Sequence, residues 1–273
     1  AVGVAPAYAW TADPLVLGAL AAAAIAYAAG RRRLRRRGRP DLAGLPQAAA
    51  FAGGLLLIGL ALLSPLDELG EGYLLTAHMI QHLALGDLAP LLLVVGLMGP
   101  LALFMVPRPA LRAAGRSPRA RAALGGLTRP VTALAIWVVV TAGWHVPAAY
   151  ELALAHRWAH DLEHATMLAA GLLVWVVILG AAPRTAMSPG RRAAFALAVF
   201  AAGMAVSLWL FLSAPLYDVY AEQPVRLLGL SPETDQMRAA LVMSAEQMLT
   251  LLTAAALLLW THVERMAEVR APG

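Results

Sequence analysis

The chain has 273 residues, 60% of them hydrophobic and 14% charged, with a net charge of +5. A soluble domain averages roughly 45–50% apolar and about 25% charged residues, so a soluble enzyme, a disordered chain and a collagen-like chain are all excluded. Cysteine is absent, which removes disulfides, thiolate metal sites, iron–sulfur ligation and cysteine nucleophiles together.

A helix needs roughly 20 apolar residues to cross about 30 Å of hydrocarbon. Seven stretches qualify in chain order: 12–30, 46–64, 73–97, 130–150, 158–181, 193–213 and 236–261. The sequence thus predicts an all-α, polytopic membrane protein, a bundle of seven transmembrane helices in one domain over residues 1–273. A dense basic run follows the first stretch rather than preceding it, so it reads as a span and not a secretory leader. Between the third and fourth spans, Gly99-Pro100, Pro107 and Pro109 separate apolar patches, a pattern with room for an interfacial helix. The loop 214–235 carries Pro215, Pro224 and Pro232.

Every basic residue is arginine, so Schiff-base and P-loop lysine chemistry is also excluded. The arginines lie between the apolar runs, which assigns the positive charge to membrane flanks and not to nucleic acid. Eighteen fall in the loops 31–45, 98–129 and 182–192 and in the C-terminal tail, against Arg157, Arg226 and Arg238 on the other side. By the positive-inside rule the N-terminus is outside and the C-terminus cytoplasmic.

Six of the seven histidines fall at the predicted outer ends of spans: His78, His82, His145, His156, His160 and His164; only His262 is cytoplasmic. His78 and His82 stand i,i+4 on one helix face, as do His160 and His164. A single imidazole near a helix end is ordinarily interfacial. Five at one level on three helices point instead to a metal or haem site inside a bundle. His156 reads as a loop residue and His262 as a solvated tail residue. Imidazole suits zinc, copper, iron and nickel, and a soft thioether nearby favours copper. Met79 beside the first pair and Met243 near the outer end of the last span are candidate ligands, although methionine also fills core gaps. Asp87 and Glu246 are carboxylates within spans, which suggests a proton relay, a second shell to the metal, or helix-to-helix hydrogen bonds to Gln81, Gln236 or Gln247. Glu163 and Asp161 could orient imidazole N–H groups. The segment His160-Asp161-Leu162-Glu163-His164 also spells H-x-x-E-H, a zinc-hydrolase pattern that needs a further ligand. A b-type haem protein is a third possibility, though an i,i+4 pair on one helix cannot ligate both faces of one haem.

The stretch Ala77-His78-Met79-Ile80-Gln81-His82-Leu83, followed by Asp87, Pro90 and Leu91–Gly96, resembles the H-M-x-Q-H segment of CtaG-type cytochrome c oxidase assembly proteins, the multi-span kind associated with caa-type oxidases. Trp144-His145-Val146-Pro147-Ala148-Ala149-Tyr150, the His160–His164 segment with Trp175, and Asp235-Gln236 leading to Met243 are similar to further segments of that family. Ala239-Ala240 departs from it, standing where a glycine-containing, tryptophan-richer segment is expected. The resemblance implies a non-enzymatic, seven-helix assembly factor of the bacterial plasma (inner) membrane, a metallochaperone for the respiratory chain. It would take copper, as Cu(I), from an external carrier on the exterior or periplasmic side and pass it to an oxidase subunit. The expected ligands are His78, His82, His145, His160 and His164 in one or two sites. An intramembrane zinc hydrolase, with Glu163, Asp161 or Asp87 as base on a zinc-bound water, is the alternative.

Overall fold

The computed structural model describes residues 9–181 and 187–270, so Arg184 lies outside the described residues. The regular structure among those residues is all helical, with no strand among them.

Proline opens most of the helices, because its missing N–H costs nothing at the first helical position. The elements are α1 (Pro14–Arg36), α2 (Leu45–Leu63), α3 (Pro65–Gly72), α4 (Leu75–Leu83), α5 (Ala89–Gly96), α6 (Leu101–Met105), α7 (Arg108–Arg116) and α8 (Pro118–Leu127). They continue as α9 (Pro130–His145), α10 (Pro147–Ala155), α11 (Arg157–Leu179), α12 (Pro189–Leu212), α13 (Asp218–Ala221), α14 (Pro232–Gln247) and α15 (Thr253–Arg270). Side chains of Asp13, Ser64, Ser117, Ser188 and Ser231 accept hydrogen bonds from the first-turn N–H groups of α1, α3, α8, α12 and α14.

Six helical stretches are long and apolar enough to cross a membrane, and α8 with α9, bent by 68°, makes a seventh if the pair is one span. Two of these stretches join across π-turns, Ala84–Leu88 between α4 and α5 and Met248–Leu252 between α14 and α15. The fourth span differs from the predicted 130–150. Pro147 forces Val146 into extended backbone, so α9 stops at His145 and a separate helix, α10, starts at Pro147. The region between the third and fourth spans forms the short helices α6 to α8, whose arginines are exposed.

The helices pair most extensively as α2 with α5, α9 with α11, α4 with α14 and α12 with α15. A Cβ at Gly171 in α11 would collide with the carbonyl oxygen of Gly86. Only glycine therefore lets α11 lie directly against the π-turn of the third span. The two ends of the bundle differ chemically. At one, Arg33 bonds the Phe104 carbonyl, Arg192 faces Arg265, and His262 abuts Gly190. At the other, Arg157 pairs with Asp13 at 2.5 Å, and Glu151 accepts from the Asp218 N–H at 3.1 Å.

Candidate metal centre

Three helices bring five imidazoles to one level. His78 and His82 project from α4, His160 and His164 from α11, and His145 from the last turn of α9; all five are buried. Ring centroids lie 4.2 Å apart for His78–His82, 4.1 Å for His160–His164, 5.5 Å for both His78–His160 and His82–His164, and 6.1 Å for His82–His145. Glu163 is wholly buried among them, 3.5 Å from His82 Nε2 and 3.9 Å from His78 Nε2. One ligand atom from each of His78, His160, Glu163 and His164 lies within 4.8 Å of the others.

The surrounding chain fixes these rings. Asp235, from α14, caps the start of α4: its carboxylate accepts from the N–H of Leu75 at 2.7 Å, the N–H of Thr76 at 3.1 Å and the Thr76 hydroxyl at 2.6 Å. That satisfies the orphan donors of the helix bearing the first imidazole pair. The next residue, Gln236, donates to the carbonyls of Leu210, Ser213 and Ala214, closing the end of α12. The loop after α12 then returns Tyr217 and Tyr220 to the rings. Tyr217 stacks on Tyr150 at 3.9 Å and donates to the His145 carbonyl at 2.9 Å.

The hydrogen-bond network assigns the tautomers. The Tyr220 hydroxyl donates to the Gly70 carbonyl at 2.6 Å, so it accepts from His78 Nδ1–H at 3.1 Å. His78 Nε2 is then a bare lone pair, and it meets His82 Nε2 at 2.7 Å. His82 must therefore carry its proton on Nε2, leaving Nδ1 as the lone pair. His145 donates Nδ1–H to the Thr141 carbonyl at 2.7 Å, and His160 donates Nδ1–H to Glu71 at 2.9 Å. Anchoring one nitrogen on a carbonyl or carboxylate frees and orients the other for a metal. The freed atoms are orphans. His82 Nδ1, His145 Nε2, His160 Nε2, His164 Nε2 and both Glu163 oxygens are buried with no hydrogen-bond partner. Native proteins seldom leave such atoms unpaired, and a metal ion would satisfy them.

His160 also links this cluster to the surface, because it forms a second group with Asp67 and Glu71 of α3. Burial, then the charge of Glu71, pushes the Asp67 carboxyl up to about 6, while the hydrogen bond from His160 holds Glu71 below the ordinary carboxylate range. A cavity of about 460 Å³ runs beside α1 and α11 and is lined by Asp67, Glu71, His160 and His164.

Not every predicted site residue joins the rings. Met79 is fully buried, but it packs with Leu75, Tyr150, Tyr217, Tyr220 and Met243 in an apolar and aromatic cluster. Met243 also borders a smaller cavity below His82 and His145. Asp161 is exposed beside Arg157 at 3.9 Å and orients no imidazole. Asp87 accepts from the Trp175 indole and, at 2.7 Å, from the Thr250 hydroxyl, not from the glutamines suggested by the sequence. Gln81 instead donates to Asp67 and to the Ala61 carbonyl, and Gln236 caps α12. Both oxygens of Glu246 are buried without a hydrogen-bond partner. His156 sits exposed between α10 and α11, and His262 lies far from the rings beside Gly190. Tyr217, Tyr220 and Glu71 escaped the sequence reasoning, and Tyr150 entered it only as the end of the Trp144–Tyr150 segment. Tyr217 and Tyr220 leave one trace, their i,i+3 spacing in a proline-rich loop.

Residues 25–265 match the family described as cytochrome c oxidase caa3 assembly factor. Two curated relatives, both uncharacterized proteins, from Mycobacterium bovis and Mycobacterium tuberculosis, are each 29% identical over 193 residues. That alignment covers 67% of this chain but only 28% of the length of either relative. No solved structure matches the chain.

Proposed function

The chain belongs to the cytochrome c oxidase caa3 assembly factor family, and from that premise we propose that it holds copper as cargo at the buried imidazole cluster and passes it to an oxidase subunit. The observation that carries this reading is the set of lone pairs on His82, His145, His160 and His164, all buried and all without a partner. Imidazole nitrogen suits copper, and a site lacking thiolate releases it more readily. We place the cluster on the exterior side of the bacterial plasma membrane. The arginine-rich end of the bundle is then cytoplasmic, with the N-terminus outside.

In this reading the chain's own residues divide the work. Tyr220, Thr141 and Glu71 hold the Nδ1 protons of His78, His145 and His160, so that the Nε2 atoms face inward. Glu163 supplies the negative charge that offsets a cation at membrane depth. Asp67 and Glu71 form the approach from the surface, drawing a cation from an external carrier toward His160. His160 belongs to both groups, so turning its ring would move a bound ion inward or outward. Transfer is ligand exchange: each metal–nitrogen bond lost on one side is replaced by one formed on the other, with no change of oxidation state.

One observation favours a second reading. His160, Glu163 and His164 all turn inward, and His78 provides the third imidazole that the H-x-x-E-H pattern required. A zinc hydrolase would be built from the same four residues. A deletion strain complemented with variant genes separates the two. Loss of copper from an otherwise assembled oxidase, restored by the wild type but not by His160→Ala/His164→Ala, supports copper delivery. Fully copper-loaded oxidase in the deletion strain refutes it. Stoichiometric zinc in the purified protein with peptide or lipid hydrolysis would establish the alternative.

A further inference from the structure

The four residues whose ligand atoms cluster most tightly, His78, His160, Glu163 and His164, do not include His145. They also leave out His82, whose Nε2 proton is already directed at His78. These two histidines share a different space. They line a cavity of about 50 Å³ together with Met167 and Met243, and Glu246 and Gln247 border it on the side of the π-turns. We propose that this cavity is a second metal site, separate from the first, that binds one soft monovalent cation, Cu(I) or its analogue Ag(I), through His82 Nδ1, His145 Nε2 and the thioethers of Met167 and Met243. The proposal rests on the copper-carrying reading above and divides its imidazoles between two sites of unlike chemistry.

Four observations point to a soft monovalent ion. The two imidazole nitrogens are lone pairs, buried and unpartnered, and the hydrogen-bond network fixes both tautomers. Rings bound through metal–nitrogen distances of about 2.0–2.1 Å put their centroids at most about 6.4 Å apart, and those of His82 and His145 are 6.1 Å apart. At about 10–15 Å³ per water the volume is that of roughly three to five waters, room for an ion among its ligands and well below the roughly 300 Å³ of an organic-ligand pocket. Finally, two imidazoles and two thioethers are neutral, and soft thioethers select Cu(I). A divalent ion on four neutral ligands at membrane depth would leave more charge uncompensated.

The floor of the cavity fits the same occupant. Asp87 accepts from both Trp175 and Thr250, an arrangement that holds a carboxylate. The Gln247 side-chain oxygen is buried and unpartnered beside it. Gly203 lies directly against that oxygen, close enough that a Cβ there would displace the Gln247 side chain. Both π-turns that flank the cavity, one containing Asp87 and the other Thr250, widen their helices at this depth, a distortion that recurs at functional sites.

The test is anaerobic Ag(I) binding to the purified full chain in detergent, with X-ray absorption at the silver edge. The expected result is two ions per chain in the wild type, with sulfur among the scatterers. Met167→Leu/Met243→Leu, a volume-conserving change, should bind one ion and lose the sulfur signal. His160→Ala/His164→Ala should also bind one ion but keep it. The wild-type spectrum reads the site even if a variant misfolds. Nitrogen-only scattering in the wild type, or two ions retained by the methionine variant, overturns the second site and leaves the copper-carrying reading standing. Binding of neither Ag(I) nor Cu(I) by the wild type overturns both.

Discussion

Tyr220→Phe is the smallest change that tests whether the tyrosine network exists to aim an imidazole. In the wild type the phenolic oxygen donates to the Gly70 carbonyl at 2.6 Å and receives His78 Nδ1–H and the Tyr150 hydroxyl, each at 3.1 Å. Phenylalanine keeps the ring and its packing but strips all three buried partners. The Tyr150 hydroxyl can rotate, so two groups are left without a partner, the Gly70 carbonyl and His78 Nδ1–H. At roughly 1–3 kcal/mol for each unsatisfied buried group, the loss is about 2–6 kcal/mol. At roughly 2–4 °C per kcal/mol for a chain of this size, that corresponds to a fall in Tm of order 5–20 °C. His78 also loses the bond that fixes its tautomer, and removing such an anchor typically lowers metal affinity about 10–100-fold. Thermal unfolding in detergent and anaerobic Cu(I) competition read the two effects on one sample. An unchanged Tm together with unchanged Cu(I) affinity would refute the reasoning from the network.

Gly171→Val drives a side chain into the Gly86 carbonyl, so it should cost about 1–3 kcal/mol or more; thermal unfolding checks this, and a neutral result would mean that α11 and the π-turn can separate. Asp235→Ala removes the cap of α4 and should lower stability by about 1–2 kcal/mol, while Asp235→Asn, which still accepts hydrogen bonds, loses less; equal losses would contradict the capping role. Asp67 has a folded-state pKa of about 6 against an ordinary 3.8, so the folded state binds this proton more tightly. Its contribution is present in full below pH 4 and is lost as pH rises through about 6. Asp67→Asn should therefore be more stable than the wild type at pH 8, with the difference shrinking below pH 6. A pH-independent difference in Tm would show that burial does not raise this group.

The spans and the convergence of the imidazoles were legible because each rests on a strong local signal. Apolar runs of span length have few alternatives, and i,i+4 histidines on a helix must share a face. The break at Pro147 was written in the sequence too, but the apolar run 146–150 masked it, so the predicted span overran His145. Partners joined by tertiary contact left no such trace. Glutamines were among the partners expected for Asp87, yet Trp175 and Thr250 reach it across the bundle. Met79 looked like a ligand by adjacency to His78. On a helix, neighbouring residues point about 100° apart, which turns Met79 into the aromatic cluster. Ala239 and Ala240, the departure from the family pattern, are fully buried between α14 and its neighbours. Small side chains there bring Asp235 and Gln236 close to the helices they cap.

The central claim is that imidazoles from α4, α9 and α11 bind metal together. It is tested most directly by the Cu(I) content of the anaerobically loaded, purified chain compared with His78→Ala/His82→Ala, with the copper-edge X-ray absorption of each. Stoichiometric copper with imidazole scattering in the wild type, and loss of at least one copper per chain in the variant, is the predicted result. Equal copper content in the two proteins would contradict the claim.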